Sequence, residues 1–143
     1  MLIRSFESKD QESVVALWES CGLTRPWNDP NDDIERAVRS RESEILVTEI
    51  QGQIVASAMV GHDGHRGWMY YVAVDPNRRD QGLGRAIVEA AEAWLTARSM
   101  PKSMLMVRSS NLPVIDFYAK QGYKASDVVV LEKWLVQKKD GST

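Results

Sequence analysis

The chain has 143 residues, 43% of them hydrophobic and 27% charged, which suits one ordinary globular domain. A net charge of −2 gives no bulk attraction to DNA or RNA, so nucleic acid is not an expected partner. One cysteine excludes an internal disulfide, "MLIRSFESKD" lacks the apolar core of a signal peptide, and no run approaches the roughly 18 apolar residues of a membrane span. The expectation is a cytoplasmic protein without a membrane partner.

Leu2 to Phe6 alternates as a first strand. Ser8 opens a helix whose apolar side carries Val14, Val15, Leu17 and Trp18, and "CGLTRPWNDP" breaks it. Asp29 as N-cap and Pro30 at the first helical position start a second helix, running to about Ser40. Glu44–Ile50 and Gln53–Gly61 read as strands joined by the tight turn Gln51-Gly52, and Gly67–Asp75 as a third. The next helix puts Leu83, Ile87, Val88, Ala91, Trp94 and Leu95 on one face. A buried strand, Ser103–Val107, precedes a short helix from about Leu112 to Lys120, with Gly122 just past its end. Asp127–Val136 reads as a last strand, with a further piece around Tyr123 to Ser126. One domain over residues 1–136 is expected, followed by a polar, flexible tail at 137–143.

The order is β-α-α-β-β-β-α-β-α-β-β. It predicts an α/β (α+β) fold with a mixed, mostly antiparallel sheet flanked by helices. One strand–helix–strand crossover makes Trp68–Asp75 and Ser103–Val107 a parallel pair.

The crossover turn carries the chemistry. In "VAVDPNRRDQGLGRAIVEAAEAWL", Gly82 and Gly84 remove two Cβ atoms where main-chain N–H groups meet an anion. The following helix aims its free N–H groups and positive dipole end at the same place, and Arg78, Arg79 and Arg85 add charge. A plain turn with solvated arginines is the competing reading. A Walker loop is excluded because no Gly-Lys-Ser/Thr closes the turn. A dinucleotide fingerprint is excluded because Ile87 stands where its third glycine belongs, and the turn lies halfway along the chain.

With these residues the chain resembles the GNAT superfamily of N-acetyltransferases. Arg79-Asp80-Gln81-Gly82-Leu83-Gly84 is similar to its coenzyme A motif, Q/R-x-x-G-x-G/A. "VRSSNLPVIDFYAKQGY" is similar to its downstream helix with Asn, then Tyr, then Gly and an aromatic. The resemblance implies acetyl-CoA as co-substrate, no metal, an amine acceptor (small molecule or protein), and direct attack in a ternary complex. It implies that the parallel pair splays and that Val72, Ala73 and Val74 line the pantetheine arm there. A main-chain N–H near Val72 would polarise the thioester carbonyl. Arg79, Asp80, Gln81, Gly82, Leu83, Gly84 and Arg85 would hold the pyrophosphate, and Asn111 the pantetheine. Tyr118 would protonate the departing thiolate, a role suited to a phenol with an ordinary pKa near 10.

The acceptor is less defined. A lysine amine is neutral about once in 2,500 at pH 7 and an α-amine about once in ten, so a lysine acceptor needs a base or a desolvated site more. "RPW" at Arg25–Trp27 resembles the substrate-side loop of the branch that acetylates ribosomal-protein N-termini, but Met106 stands where that branch commonly has a glutamate. Tyr70, Tyr71, Glu44 and Glu49 are candidate bases whose ordinary role is structural. Asp29, Asp32 and Asp33 either attract a cationic acceptor or charge-match a helix start. His62 and His65 sit in a glycine turn without a third metal ligand, and Cys21 is read as packing. The alternative function is an inactive acyl-CoA-binding sensor. The expected assembly is a monomer or a homodimer paired through the last strand.

Overall fold

Short, mostly apolar runs, buried on both faces in β2 and β3, build a five-stranded sheet in the order β1-β2-β3-β4-β5: Leu2–Ser5, Ser43–Ile50, Gln53–His62, Gly67–Val74 and Ser103–Leu105. This computed structural model describes residues 1–137, so all of the expected tail except Gln137 lies outside the described residues. Neighbours are antiparallel except β4 and β5, which are parallel, as the crossover requires. Gln51 and Gly52 both take positive φ, 51° and 78°, the backbone a two-residue hairpin turn of this twist demands.

Helices cover both faces. α1 (Gln11–Ser20) and α2 (Pro30–Arg39) bring Val14, Leu17, Trp18 and Ile34 against Ile45, Val47 and Ala73. The crossover helix α3 (Leu83–Ala97) buries Leu83, Ile87, Val88, Ala91, Trp94 and Leu95. Glu44 and Ile45 identify the two sides, since consecutive strand residues point oppositely. Ile45 packs with α1 and α2, whereas Glu44 accepts from the Trp94 indole of α3 at 2.6 Å. Before α1 the chain makes a short 3-10 turn, Ser8–Asp10. Asp10 is buried there because Arg4 of β1 grips it at 2.8 and 3.0 Å, which holds its carboxyl below the usual range.

α3 lies so close to β4 that a Cβ on Gly67 would stand 2.5 Å from both methyl carbons of Leu95. Leu95 is itself buried, so it has little room to turn away. Gly67→Ala is therefore expected to cost about 1–3 kcal/mol of stability. Denaturant unfolding measures the cost, and a Gly67→Ala/Leu95→Ala double variant should show non-additivity.

The chain divides into two compact units, Met1–Leu105 and the residues that follow. In the second, α4 (Leu112–Ala119) starts at Asn111, whose side chain accepts from the Val114 N–H at 3.4 Å. Gly122 takes φ +92° just past its end. The strands expected at Tyr123–Ser126 and Asp127–Val136 do not form. A strand is completed by a partner's backbone, and no described residue forms a ladder with this segment. Its apolar side chains stay in the open, Leu131 and Leu135 each 89% exposed. The strand expected to reach Val107 ends at Leu105.

Candidate active site

The turn after β4 is built by short-range bonds. Asp75 accepts from the Asn77 N–H at 2.9 Å and closes the 3-10 turn Pro76–Arg78. Asp80 and Gly82 then take left-handed backbone, φ +66° and +78°, to swing the chain into α3. Gly82 is the N-cap and has no side chain to offer; its carbonyl accepts from Ala86 at 3.1 Å. The leading N–H groups at Leu83, Gly84 and Arg85 have no acceptor within the helix. Leu83 anchors the helix start against Val55 and Ala56. Arg78 and Arg79 form no ion pair among the described residues, while Arg85 pairs with Glu89 at 2.9 Å. The arrangement suits an anion with several oxygens.

The parallel ladder between β4 and β5 ends at Met69↔Leu105. β4 runs on to Val74, so Tyr70–Val74 have an edge without a ladder partner among the described residues. That opening begins beside a β-bulge. From Ser57↔Ala73 the register jumps to Met59↔Tyr70, so Ala58 alone faces both Tyr71 and Val72. Tyr71 takes φ +51°, rare for so bulky a residue. The extra residue also lets neighbours Tyr70 and Tyr71 line the same cleft, which strict alternation forbids.

This cleft, about 680 Å³, lies within the first unit. Its walls include Asp33 and Arg36 of α2, Glu42, and Trp68, Tyr70 and Tyr71 of β4. The Tyr71 hydroxyl donates to Asp33 at 2.6 Å; burial first, and that bond second, raise its pKa, so it remains a donor. Burial and the charge of Asp63 raise that of Tyr70. The main-chain N–H groups of Arg66 and His65 hold the Asp63 carboxyl down at about 2. His62 meets Glu42 at 2.8 Å, and its Nδ1 accepts from the Gly64 N–H at 3.2 Å.

On α4, the Tyr118 ring is 8% exposed and meets Phe117 and Tyr123 edge-on at 4.9 and 5.6 Å. Its hydroxyl makes no hydrogen bond among the described residues. Burial pushes its pKa up to about 12.

The family model described as Acetyltransferase (GNAT) family matches residues 10–123. The chain belongs to the GNAT family of acetyltransferases. An acetyltransferase of Pectobacterium atrosepticum is 45% identical over 140 residues, covering 98% of this chain and 99% of its own. One of Yersinia enterocolitica is 46% identical over 136 residues, covering 95% and 96%. The fold is shared with an aminoglycoside 6'-N-acetyltransferase of Acinetobacter haemolyticus, at 15% identity, TM-score 0.77 and coverage of 95% and 99%. It is shared too with AAC(6')-Iy in complex with the bisubstrate analogue CoA-S-monomethyl-acetylneamine, at 14% identity, TM-score 0.79 and coverage of 94% and 98%.

Acetyl-CoA is the co-substrate of a GNAT acetyltransferase, and the uncapped start of α3 fits its diphosphate. Val72, Ala73 and Val74 and the turn from Arg79 to Arg85 lie in one unit; Asn111 and Tyr118 lie in the other. Ala73 is buried against α1 and α2, and the Val74 carbonyl accepts from the Cys21 thiol at 3.2 Å, a packing role for that cysteine. Glu44 is occupied by Trp94 and Ser5, and Glu49 by Arg4, so both are structural. Arg25 turns back onto the Gly22 carbonyl. Asp29 caps α2, accepting from the Asn31 N–H at 2.9 Å, whereas Asp33 reaches the sheet. No group of three or more metal-binding side chains occurs among the described residues, and no described helix is long and apolar enough to cross a membrane. Sequence reading missed the bulge and the cleft; the only signal was the adjacent pair Tyr70-Tyr71, which breaks the alternation of β4.

Proposed function

We propose that this acetyltransferase moves an acetyl group from acetyl-CoA to a cationic amine that enters the cleft beneath α2. The observation that carries the proposal is the start of α3 at Gly82, without a side-chain cap and one short turn after β4, whose parallel partner β5 stops at Leu105, opposite Met69. The turn from Arg79 to Arg85 binds the diphosphate. Val72, Ala73 and Val74 hold the pantetheine along the unpaired edge. On the family pattern Asn111 assists and Tyr118 serves the leaving sulfur.

The amine nitrogen, once neutral, attacks the thioester carbon and forms the C–N bond. The carbonyl oxygen gains negative charge and is met by a main-chain N–H at the bulge. The C–S bond then breaks, the sulfur takes a proton, and the amine gives one up. Arg36 on the wall is paired with Asp33, which leaves Glu42 and Asp63 as a surplus of negative charge that favours a cationic visitor, and Tyr70 and Trp68 add aromatic lining suited to a cation.

Acetyl-CoA with a panel of amines, peptides and polyamines, followed by free thiol release, tests this. Turnover on at least one amine is expected; tight coenzyme A binding with no turnover on any member would establish the sensor instead. With an acceptor in hand, Glu42→Lys should raise its KM about three- to tenfold at low salt and less at high salt. The KM for acetyl-CoA should not move.

A further inference from the structure

Tyr71 is held at three points by three elements. Its carbonyl accepts from the Ser57 hydroxyl of β3 at 2.9 Å. That hydroxyl in turn accepts from the Trp18 indole N–H of α1 at 2.9 Å. The Trp18 ring lies flat on the Tyr71 ring, 3.7 Å between centroids and 9° between planes. From α2, Asp33 takes the hydroxyl. Trp18 and Ser57 are each 0% exposed, so neither polar group has water to fall back on.

A glycine at position 71 would adopt φ +51° without strain. The chain instead carries a tyrosine there and surrounds it with buried partners. Ser57 holds the carbonyl of the peptide joining Tyr71 to Val72, the two residues that Ala58 alone faces, while Trp18 and Asp33 hold the Tyr71 side chain, all at the start of the unpaired edge of β4. A relay in which one hydroxyl both accepts and donates fixes direction as well as distance. Strain held in place by its surroundings is a feature of sites where main-chain groups must be pre-aimed.

Resting on the acetyl transfer proposed above, we propose that Trp18 and Ser57 are positioning residues: their buried relay to the Tyr71 carbonyl sets the bulge peptide, and with it the main-chain N–H that polarises the thioester carbonyl. Neither side chain touches acetyl-CoA. Both act through the backbone of Tyr71 and Val72.

The test needs no acceptor. Acetyl-CoA labelled with carbon-13 at the thioester carbonyl is bound to the full chain, and the carbonyl stretch is read by isotope-edited infrared difference. Wild type should lower the band relative to free acetyl-CoA. Ser57→Ala should lose most of that shift and Trp18→Phe a clear part, while coenzyme A Kd by calorimetry stays within about threefold. Ile87→Val, which loosens the core under α3, should leave the band at its wild-type position. Once an acceptor is known, kcat of Ser57→Ala should fall about tenfold or more with the acetyl-CoA KM little changed. Wild-type bands in both Ser57→Ala and Trp18→Phe, with acetyl-CoA bound, would overturn the positioning role and leave acetyl transfer standing. Failure of wild type to bind acetyl-CoA would overturn both.

Discussion

Gly84→Val is expected to weaken coenzyme A binding about a hundredfold, a loss of about 2.7 kcal/mol, while thermal stability stays near wild type. Gly84 is the second residue of α3 and has helical backbone, which any L-residue adopts. In a helix interior valine is even slightly preferred over glycine, so helix propensity gives no reason for the glycine. The proposed diphosphate site does. The Cα–Cβ bond tilts toward the helix N-terminus, so a branched side chain at 84 crowds the N–H groups of residues 83 to 85. Gly82→Val should be at least as damaging to binding, but for two reasons. At φ +78° a side chain meets open space yet strains the backbone, by about 1–2 kcal/mol, and the turn into α3 shifts. Gly82→Asn, which tolerates that backbone, separates the two effects. Calorimetry with coenzyme A decides: normal affinity in both valine variants would place the diphosphate elsewhere and remove the basis for the cradle.

The periodic parts of this fold were legible because burial and period coincide. Leu83, Ile87, Val88, Ala91, Trp94 and Leu95 mark α3 at helical spacing, and all six are buried. Asp29-Pro30 marks the start of α2 because a cap oxygen and a preset φ are local chemistry. The turn into α3 was legible for a local reason too: glycine at 82 suits the left-handed backbone that the position takes. What failed was long-range. Asp127–Val136 has strand composition, but ladder formation depends on a partner that no local pattern names. The bulge at Tyr71 was hidden because it arises from one residue's mismatch between β3 and β4. The relay from Trp18 through Ser57 to Tyr71 joins residues 39 and 14 positions apart. Ser57 is unremarked in sequence, Trp18 reads simply as core, and Tyr71 reads as a candidate base or an ordinary strand residue.

Tyr118→Phe is expected to lower kcat by about a hundredfold or more and to leave coenzyme A Kd within about threefold. The ring survives the change, so its edge-on contacts with Phe117 and Tyr123 persist. The hydroxyl makes no hydrogen bond among the described residues, so stability should barely move. The pH dependence separates a donor from a packing residue. A donor works while protonated, and its contribution is lost as pH rises through its pKa. Burial puts that pKa at about 12, well above the phenol's usual value, so no alkaline limb between pH 6 and 10 belongs to Tyr118. The acidic limb, where the rate rises as the acceptor amine loses its proton, should be the same in wild type and variant. A phenol at about 12 is also a weaker acid than an ordinary thiol near 8.5, so outright proton transfer to a solvated thiolate is uphill by about 5 kcal/mol. On the proposed role, its hydroxyl would act as a hydrogen-bond donor while the C–S bond lengthens, and transfer would complete as exclusion of water raises the sulfur's basicity as well. The deficit of Tyr118→Phe should accordingly shrink with an acetyl thioester whose leaving thiol is more acidic. An equal deficit with both thioesters would take Tyr118 out of the leaving-group step.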